Sequence, residues 1–424
     1  MRDERMKQRE RVLIVVTTLK IKSEWSPEDI ADEMVELVKA CDGETADVIF
    51  APVEKFSPSH LIGEGKVNEL YVRCQAGDVD TIVFNQDLKG VQQRNLEDDL
   101  KVKVLDRTQI ILHIFARHAK SLEGKIQVEL AQLEYSLPRL VGRGREMSRL
   151  GGGIGTLGPG ETRLETDRRK IDSRISHLKK RTREIQDNRA VNRKRRKEHA
   201  IPVIALVGYT NAGKSSLLNV LTDAKQETRD GLFTTLDSIS RQYILPNHQA
   251  VILIDTVGFM RELPHNLIDA FKATLEEVVE ADILLHVTDI SDPKFRLLYQ
   301  SVNEVLQELN VKNKPTMTIL NKIDKLEDRS WFSTVCSAVE NPIAVSAKTG
   351  ENLDVLAHKI LEDLSGIVEE VDINIPITRM DLINLAHSQG EVYSVKYYND
   401  LINLRASLPK RIAGILEKAQ IPSK

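Results

Sequence analysis

The stretch Gly208-Tyr-Thr-Asn-Ala-Gly213-Lys214-Ser215 restricts this chain more than any other. It follows the apolar, β-branched run 201–207 and precedes Ser216-Leu-Leu-Asn-Val-Leu221, so strand, glycine loop and helix come in the order a phosphate cradle requires. Gly208 and Gly213 let the backbone bend around an anion with its N–H groups turned inward. Lys214 places a charge against β- and γ-phosphates, and Ser215 offers a hydroxyl to Mg²⁺. The helix opening there directs its positive dipole end to the same point. Asn211, Ala212 and Ser216 complete the expected loop contacts.

Three further strand-end motifs follow in order. Val251-Ile-Leu-Ile-Asp255-Thr-Val-Gly258 is a buried strand closing on D-x-x-G, where Asp255 can hold Mg²⁺ through water and the Gly258 N–H can meet a γ-phosphate. Pro315–Leu320 runs into Asn321-Lys322-Ile-Asp324, whose terminal carboxylate can accept both guanine N1–H and N2–H₂. Pro342–Val345 leads into Ser346-Ala347-Lys348, whose backbone can meet guanine O6.

Together these motifs resemble a translation-factor-class GTPase domain, an α/β fold with a mostly parallel sheet. Its γ-phosphate switch should lie between Ser215 and Asp255, where Leu232-Phe-Thr-Thr-Leu-Asp237 occurs. Thr235 is the first choice for the Mg²⁺-contacting hydroxyl and Thr234 the alternative. Many such GTPases orient water with Gln directly after D-x-x-G, whereas this chain has Phe259, so slow intrinsic hydrolysis is expected. Asn211 matches the position that helps hold K⁺ beside the phosphates in some similar GTPases.

The 424 residues suggest two to four domains. No apolar run approaches the roughly 20 residues of a membrane span, and the charged start Met1-Arg-Asp-Glu-Arg lacks a signal-peptide pattern. A cytosolic monomer without membrane insertion is expected. Cys41, Cys74 and Cys336 are too scattered for a metal site or disulfide framework.

Residues 1–120 alternate strand and helix signals. Strands are expected at 12–16, 46–50, 81–84 and 103–105, and helices at 27–40, 67–75 and 92–100, giving a small domain with a largely parallel sheet. Gly63-Glu-Gly65-Lys66 reads better as a structural turn than as a phosphate site. Residues 121–200 carry two stripes, Ile126, Leu130, Leu133, Leu137, Leu140 and Ile171, Ile175, Leu178, Thr182, Ile185, which predict an antiparallel helical arm. Pro138 should end or kink its first helix, and the glycine-rich stretch 151–162 should form a loop at its tip. The GTPase domain is expected over 201–365 and a small α+β domain over 366–424. Asp289 and Asp292 invite a metal reading, but capping of the next helix explains them better.

From Arg143 to Lys197 there are 18 Lys and Arg against 7 Asp and Glu, a local excess of 11, while the whole chain carries −3. So concentrated a field costs self-repulsion unless phosphates relieve it. Contact with structured RNA is expected at Arg143, Arg145, Arg149, Gly155, Gly158, Gly160, Arg163, Arg168 and Arg169.

Gly152-Gly-Ile-Gly155, Gly158-Pro-Gly-Glu-Thr162 and Leu164-Glu-Thr-Asp-Arg-Arg169 resemble the signature loop of the HflX GTPases. Tyr209–Ala212, Phe233–Asp237, Asp255–Phe259, Gly63–Lys66 and Val104-Leu-Asp-Arg-Thr108 are similar to further motifs of that family. The resemblance implies a GTPase that binds the large ribosomal subunit and helps split or rescue stalled ribosomes under stress. Leu157 stands where the family commonly has Arg, removing one phosphate-seeking charge. A ribosome-assembly or RNA-remodelling factor, with GTP chiefly a conformational ligand, is the alternative.

Overall fold

The computed structural model describes residues 9–20, 24–140, 159–198, 201–223, 239–247, 249–261, 272–311, 314–326, 335–336, 339–365, 368–398 and 400–420. These divide into two compact units, one holding most of residues 1–185 and the other most of 186–424.

In the first unit, strands β1 (Arg11–Leu19), β2 (Glu44–Val53), β3 (Thr81–Phe84) and β4 (Lys103–Asp106) form a sheet of order β2-β1-β3-β4, with every pair parallel. Helices α1 (Pro27–Ala40), α2 (Glu64–Ala76) and α3 (Gly90–Leu100) connect them. The start of α1 follows from local chemistry: Ser26 Oγ accepts from Asp29 N at 3.1 Å, the Asp29 carboxylate accepts from Ser26 N at 3.1 Å, and Pro27 fills the first turn. Ile30, Met34, Leu37 and Val38 are buried, as their spacing predicts. The Gly63–Lys66 turn opens α2, and Lys66 pairs with Glu69 of the same helix.

One helix escapes the sequence reading. α4 (Arg107–His118) follows β4 directly, capped by Asp106, whose side chain accepts from Gln109 N at 2.9 Å. Seven of its residues are buried, on more than one face, so no clean 3.6-residue stripe marks it.

α5 (Leu122–Ser136) ends in a 3-10 turn at residues 137–140, where Pro138 removes a backbone donor. α6 runs from Pro159 to Glu198. Gly160 therefore lies in a helix and not in the expected loop, because Pro159 with its fixed φ suits a first helical position. Ile126 and Leu130 meet Ile175 and Leu178 in the expected seam. The expected antiparallel direction is corrected, however. Glu129 pairs with Arg174 at 2.7 Å and Glu134 with Lys179 at 2.8 Å, a step of five residues forward on both helices, whereas an antiparallel seam steps forward on one and back on the other.

In the second unit, β5 (Val203–Val207), β6 (Ile239–Ile244), β7 (Ala250–Asp255), β8 (Ile283–Asp289), β9 (Thr316–Asn321) and β10 (Pro342–Ala344) form a sheet of order β10-β9-β8-β5-β7-β6. Only the edge strand β6 is antiparallel to its neighbour among these pairs. Helix α7 (Lys214–Leu221) leaves β5 and buries Leu217 and Leu218 against the central strands. Residues 368–420 add an antiparallel sheet, β11 (Val368–Pro376), β12 (Glu391–Tyr397) and β13 (Leu401–Pro409) in order β11-β13-β12, with its own apolar core.

Two glycine substitutions separate structural need from motif resemblance. A Cβ on Gly208, at φ +152°, would stand 2.1 Å from the Val287 carbonyl, whereas one on Gly65 would meet nothing within 4 Å. Gly208→Ala should cost about 3 kcal/mol or more, and Gly65→Ala should be neutral or slightly stabilising, in chemical unfolding. Equal losses would contradict the geometry.

Candidate functional site

Four strand ends converge on one place. β5 delivers Gly208, and the backbone then turns through Asn211 at φ 62° and Gly213 at φ +94° into α7. Lys214 is buried, and its Nζ donates to the carbonyls of Gly208 at 3.0 Å and Tyr209 at 2.8 Å. From the end of β7, Asp255 accepts a 2.6 Å bond from Ser215 Oγ. Gly258 packs so closely on the loop that a Cβ would stand 2.8 Å from Thr210 Cγ2 and 3.2 Å from Lys214 Nζ. Ser216 lies half-buried in the first turn of α7.

Phe259 has a role the sequence reading missed. Its ring is buried, but its backbone joins the two phosphate-side segments: Phe259 N donates to Gly208 O at 3.0 Å and Thr210 N to Phe259 O at 2.9 Å. Tyr209 adds a third tie, its hydroxyl accepting from Arg261 N at 3.2 Å.

The base-side motifs divide into braces and open donors. Asn321, buried, donates from Nδ2 to Ala212 O at 2.9 Å and accepts from Ala347 N at 3.0 Å. Lys322 donates to Asn211 O at 2.8 Å while pairing with Asp289 at 2.6 Å. Both side chains thus hold the phosphate loop from behind. Ser346 Oγ donates to Asp324 at 2.7 Å and orients that carboxylate. Because Ala347 N–H is engaged by Asn321, Lys348 N–H is the one of the two without a bond among the described residues. Asp292 accepts from Lys294 N at 2.8 Å and Asp289 from Ser291 N at 3.0 Å, both in the turn before the next helix. The expected capping is thus corrected: that helix, Phe295–Glu308, has Lys294 at its N-cap and no side-chain cap bond. No group of three or more metal-type side chains occurs among the described residues.

Burial draws the Lys214 ammonium down to about 8, against the pull of the nearby Asp255 carboxylate. His286, at the middle of β8, is pushed down to about 3 by burial first and by the Lys214 charge second. Its ring stacks on Tyr299 at 4.6 Å, and neither ring nitrogen has a hydrogen-bond partner among the described residues. It is a neutral core residue; the apolar strand around it carried no signal that would single it out.

The structure also sorts the basic residues of α6. Arg168 lies 3.9 Å from Asp172, Arg169 pairs with Glu165 at 2.8 Å, and Lys170 pairs with Asp167 at 3.4 Å, all along the helix itself. Arg174 and Lys179 are taken by α5. Lys180, Arg181 and Arg183 are exposed and have no ion pair among the described residues. At about 100° per residue, Lys180 points away from the seam and the two arginines flank it. Exposed Glu184 and Asp187 reduce this charge without cancelling it. Arg163 falls in α6, while Arg143, Arg145, Arg149, Gly155, Leu157, Gly158, Thr234 and Thr235 lie outside the described residues.

The site and sheet define a P-loop GTPase. Residues 203–322 match the family described as 50S ribosome-binding GTPase, 28–116 the GTP-binding GTPase N-terminal family, 118–196 the GTP-binding GTPase middle region and 333–420 the HflX C-terminal domain. GTPase HflX of Caldanaerobacter subterraneus subsp. tengcongensis is 42% identical over 406 residues, covering 96% of this chain and 92% of that one. GTPase HflX of Lacrimispora saccharolytica is 42% identical over 410 residues, covering 96% and 95%, and that of Escherichia coli is 40% identical over 348 residues, covering 81% of each. The chain belongs to the HflX family and is a GTP hydrolase. No described helix is long and apolar enough to cross a membrane.

A buried Lys214 near 8 has a measurable consequence. Phosphate contact restores the charged form, so the fraction neutral above that value must gain a proton on binding. Calorimetry of GDP binding in buffers of different ionisation enthalpy should show proton uptake at roughly pH 8.5 and little at roughly pH 6.5. Uptake independent of pH would rule out Lys214 as its source.

Proposed function

We propose that this protein binds the large ribosomal subunit and couples GTP binding and hydrolysis to splitting or rescue of stalled ribosomes under stress. One observation carries the reading: the same chain holds a phosphate-and-base cradle and a helix presenting Lys180, Arg181 and Arg183 with no carboxylate partner among the described residues. Similarity to a family described as ribosome-binding supports the partner. The protein acts in this reading as a cytoplasmic monomer, organised as N-terminal domain 1–120, basic helical arm 121–200, GTPase domain 201–365 and small C-terminal domain 366–424.

Within the cradle, the loop 208–216 wraps the phosphates and Lys214 exchanges two loop carbonyls for phosphate oxygens. Ser215 and Asp255 are hard oxygen donors 2.6 Å apart and fit Mg²⁺, which when bound neutralises charge developing on the transferred phosphoryl group. Thr235 would supply a further hydroxyl to the ion, and the Gly258 N–H meets the γ-phosphate. Asp324, oriented by Ser346, selects guanine, and Lys348 N–H reads O6. Asn211 is the K⁺-side ligand. Phe259 offers no polar side chain to water, so docking on the ribosome completes the catalytic geometry.

The test is GTP turnover in KCl with and without purified large ribosomal subunits, with Asp324→Asn as the guanine-recognition control. Stimulation of at least about tenfold is expected, and KCl should outperform NaCl at equal ionic strength. No stimulation despite tight GTP binding would favour the assembly or RNA-remodelling reading. Reversing Lys180, Arg181 and Arg183 to Glu should weaken subunit binding and its salt dependence more than Arg168→Ala with Arg169→Ala; the opposite ranking would move the contact.

A further inference from the structure

The segment Val104-Leu-Asp-Arg-Thr108 takes no part in the nucleotide site, yet its side chains are heavily committed. Asp106 is fully buried at the end of β4. One carboxylate oxygen caps α4, and the other receives Tyr135 Oη at 2.5 Å, Leu88 N at 3.1 Å and Arg139 Nη2 at 3.3 Å. Arg139 also donates to Leu88 O at 2.6 Å and Tyr135 O at 2.7 Å, and its guanidinium lies 3.4 Å from the centroid of the Tyr135 ring. On its other side, a Cβ on Gly90 would stand 3.1 Å from Arg139 Cα. The flanking residues are held as firmly: Arg107 forms a buried ion pair with Glu33 at 2.9 Å, and Thr108 Oγ1 donates to Asp87 at 2.5 Å.

These bonds connect parts that have different tasks. Leu88, Gly90 and Asp106 belong to the parallel-sheet domain, whereas Tyr135 is near the end of α5 and Arg139 is in the 3-10 turn beyond it. α5 is in turn the seat of α6, through Ile126, Leu130, Ile175 and Leu178 and the two ion pairs from Glu129 and Glu134. A continuous line of packed and hydrogen-bonded groups runs from the sheet to the helix that carries Lys180, Arg181 and Arg183. Burial raises the Asp106 carboxyl, while its bonds to Tyr135, Gln109 and Arg139 favour the ionised form. An anion so placed demands its partners in place, since leaving any of them unmade strands a buried charge.

We infer that Arg139, held by Asp106 and Tyr135, is a positioning residue that sets the direction of the basic helix, and that the N-terminal α/β domain serves as that helix's rigid base. This rests on the ribosome reading for its functional consequence but not for its geometry. Arg139→Lys keeps a charge for Asp106 and loses the fork that reaches two carbonyls and the stacking on Tyr135. Gly90→Ala keeps every polar group and pushes on the turn.

Two measurements on the full chain test the inference. With Cys41, Cys74 and Cys336 replaced by Ser, spin labels at Val72 of α2 and Lys180 of α6 report the spacing of base and helix by electron–electron resonance. Arg139→Lys and Gly90→Ala should shift or broaden that distribution and lower the thermal midpoint, while intrinsic GTP turnover of the folded protein stays at the parent value. In unlabelled protein both variants should raise the concentration of large subunits giving half-maximal stimulation about tenfold, with maximal stimulation retained. An unchanged distance distribution overturns the inference whatever the ribosome does. So does a changed distribution with unchanged half-saturation in a protein that large subunits stimulate. If large subunits fail to stimulate the parent protein, the ribosome reading falls, and the distances alone decide whether the base exists.

Discussion

The structure of the nucleotide side depends on the polarity of a bent backbone. A loop that turns its N–H groups toward an anion must turn carbonyls away from it, and buried carbonyls need donors. Here those donors come from the motifs themselves. Lys214 meets the carbonyls of Gly208 and Tyr209, Lys322 meets that of Asn211, and Asn321 meets that of Ala212. The strand ends that look from the sequence like separate contacts to a nucleotide are therefore also the scaffold that holds the loop. Gly208 and Gly213 serve the same end, because a Cβ at either would strike Val287 O or Asn321 Nδ2.

That arrangement concentrates charge in a dry place. Lys214 is inside the fold beside the Asp255 carboxylate, and the neighbouring His286 answers by remaining neutral. Burial and like charge act in the same direction on His286 and in opposition to Asp255 on Lys214. The result is an ammonium lightly held by carbonyls, ready to exchange them for phosphate oxygens at little cost in reorganisation.

The first unit solves a different problem with similar means. A single buried carboxylate, Asp106, gathers a helix cap, a backbone amide, a phenol and a guanidinium from positions up to 33 residues away from it. Apolar packing between α4 and α5 could tolerate sliding, whereas bonds to a buried charge admit one register. The sheet and the helices that carry the positive field are thereby fixed to one another.

Much of this was legible in the residues. The phosphate loop, D-x-x-G, Asn321–Asp324 and Ser346–Lys348 announce themselves because backbone geometry and base recognition require particular residue types at fixed spacing, and the apolar stripes of α1, α5 and α6 follow helical period. α4 was hidden because burial on several faces erases periodicity. The same limit applies to side-chain roles. Sequence names Asn321 as a nucleotide contact and the basic residues of α6 as RNA contacts. Tertiary structure gives Asn321 a bracing bond to the phosphate loop, pairs Arg174 and Lys179 with α5, and leaves Lys180, Arg181 and Arg183 without a carboxylate partner among the described residues. It also decides that α5 and α6 step forward together, through ion pairs between residues 45 apart. Local pattern determines which chemistry is present and which face is apolar. Which of the remaining charges a second helix takes, as α5 takes Arg174 and Lys179, and in which direction that helix runs, depends on through-space neighbours that no short stretch of chain contains.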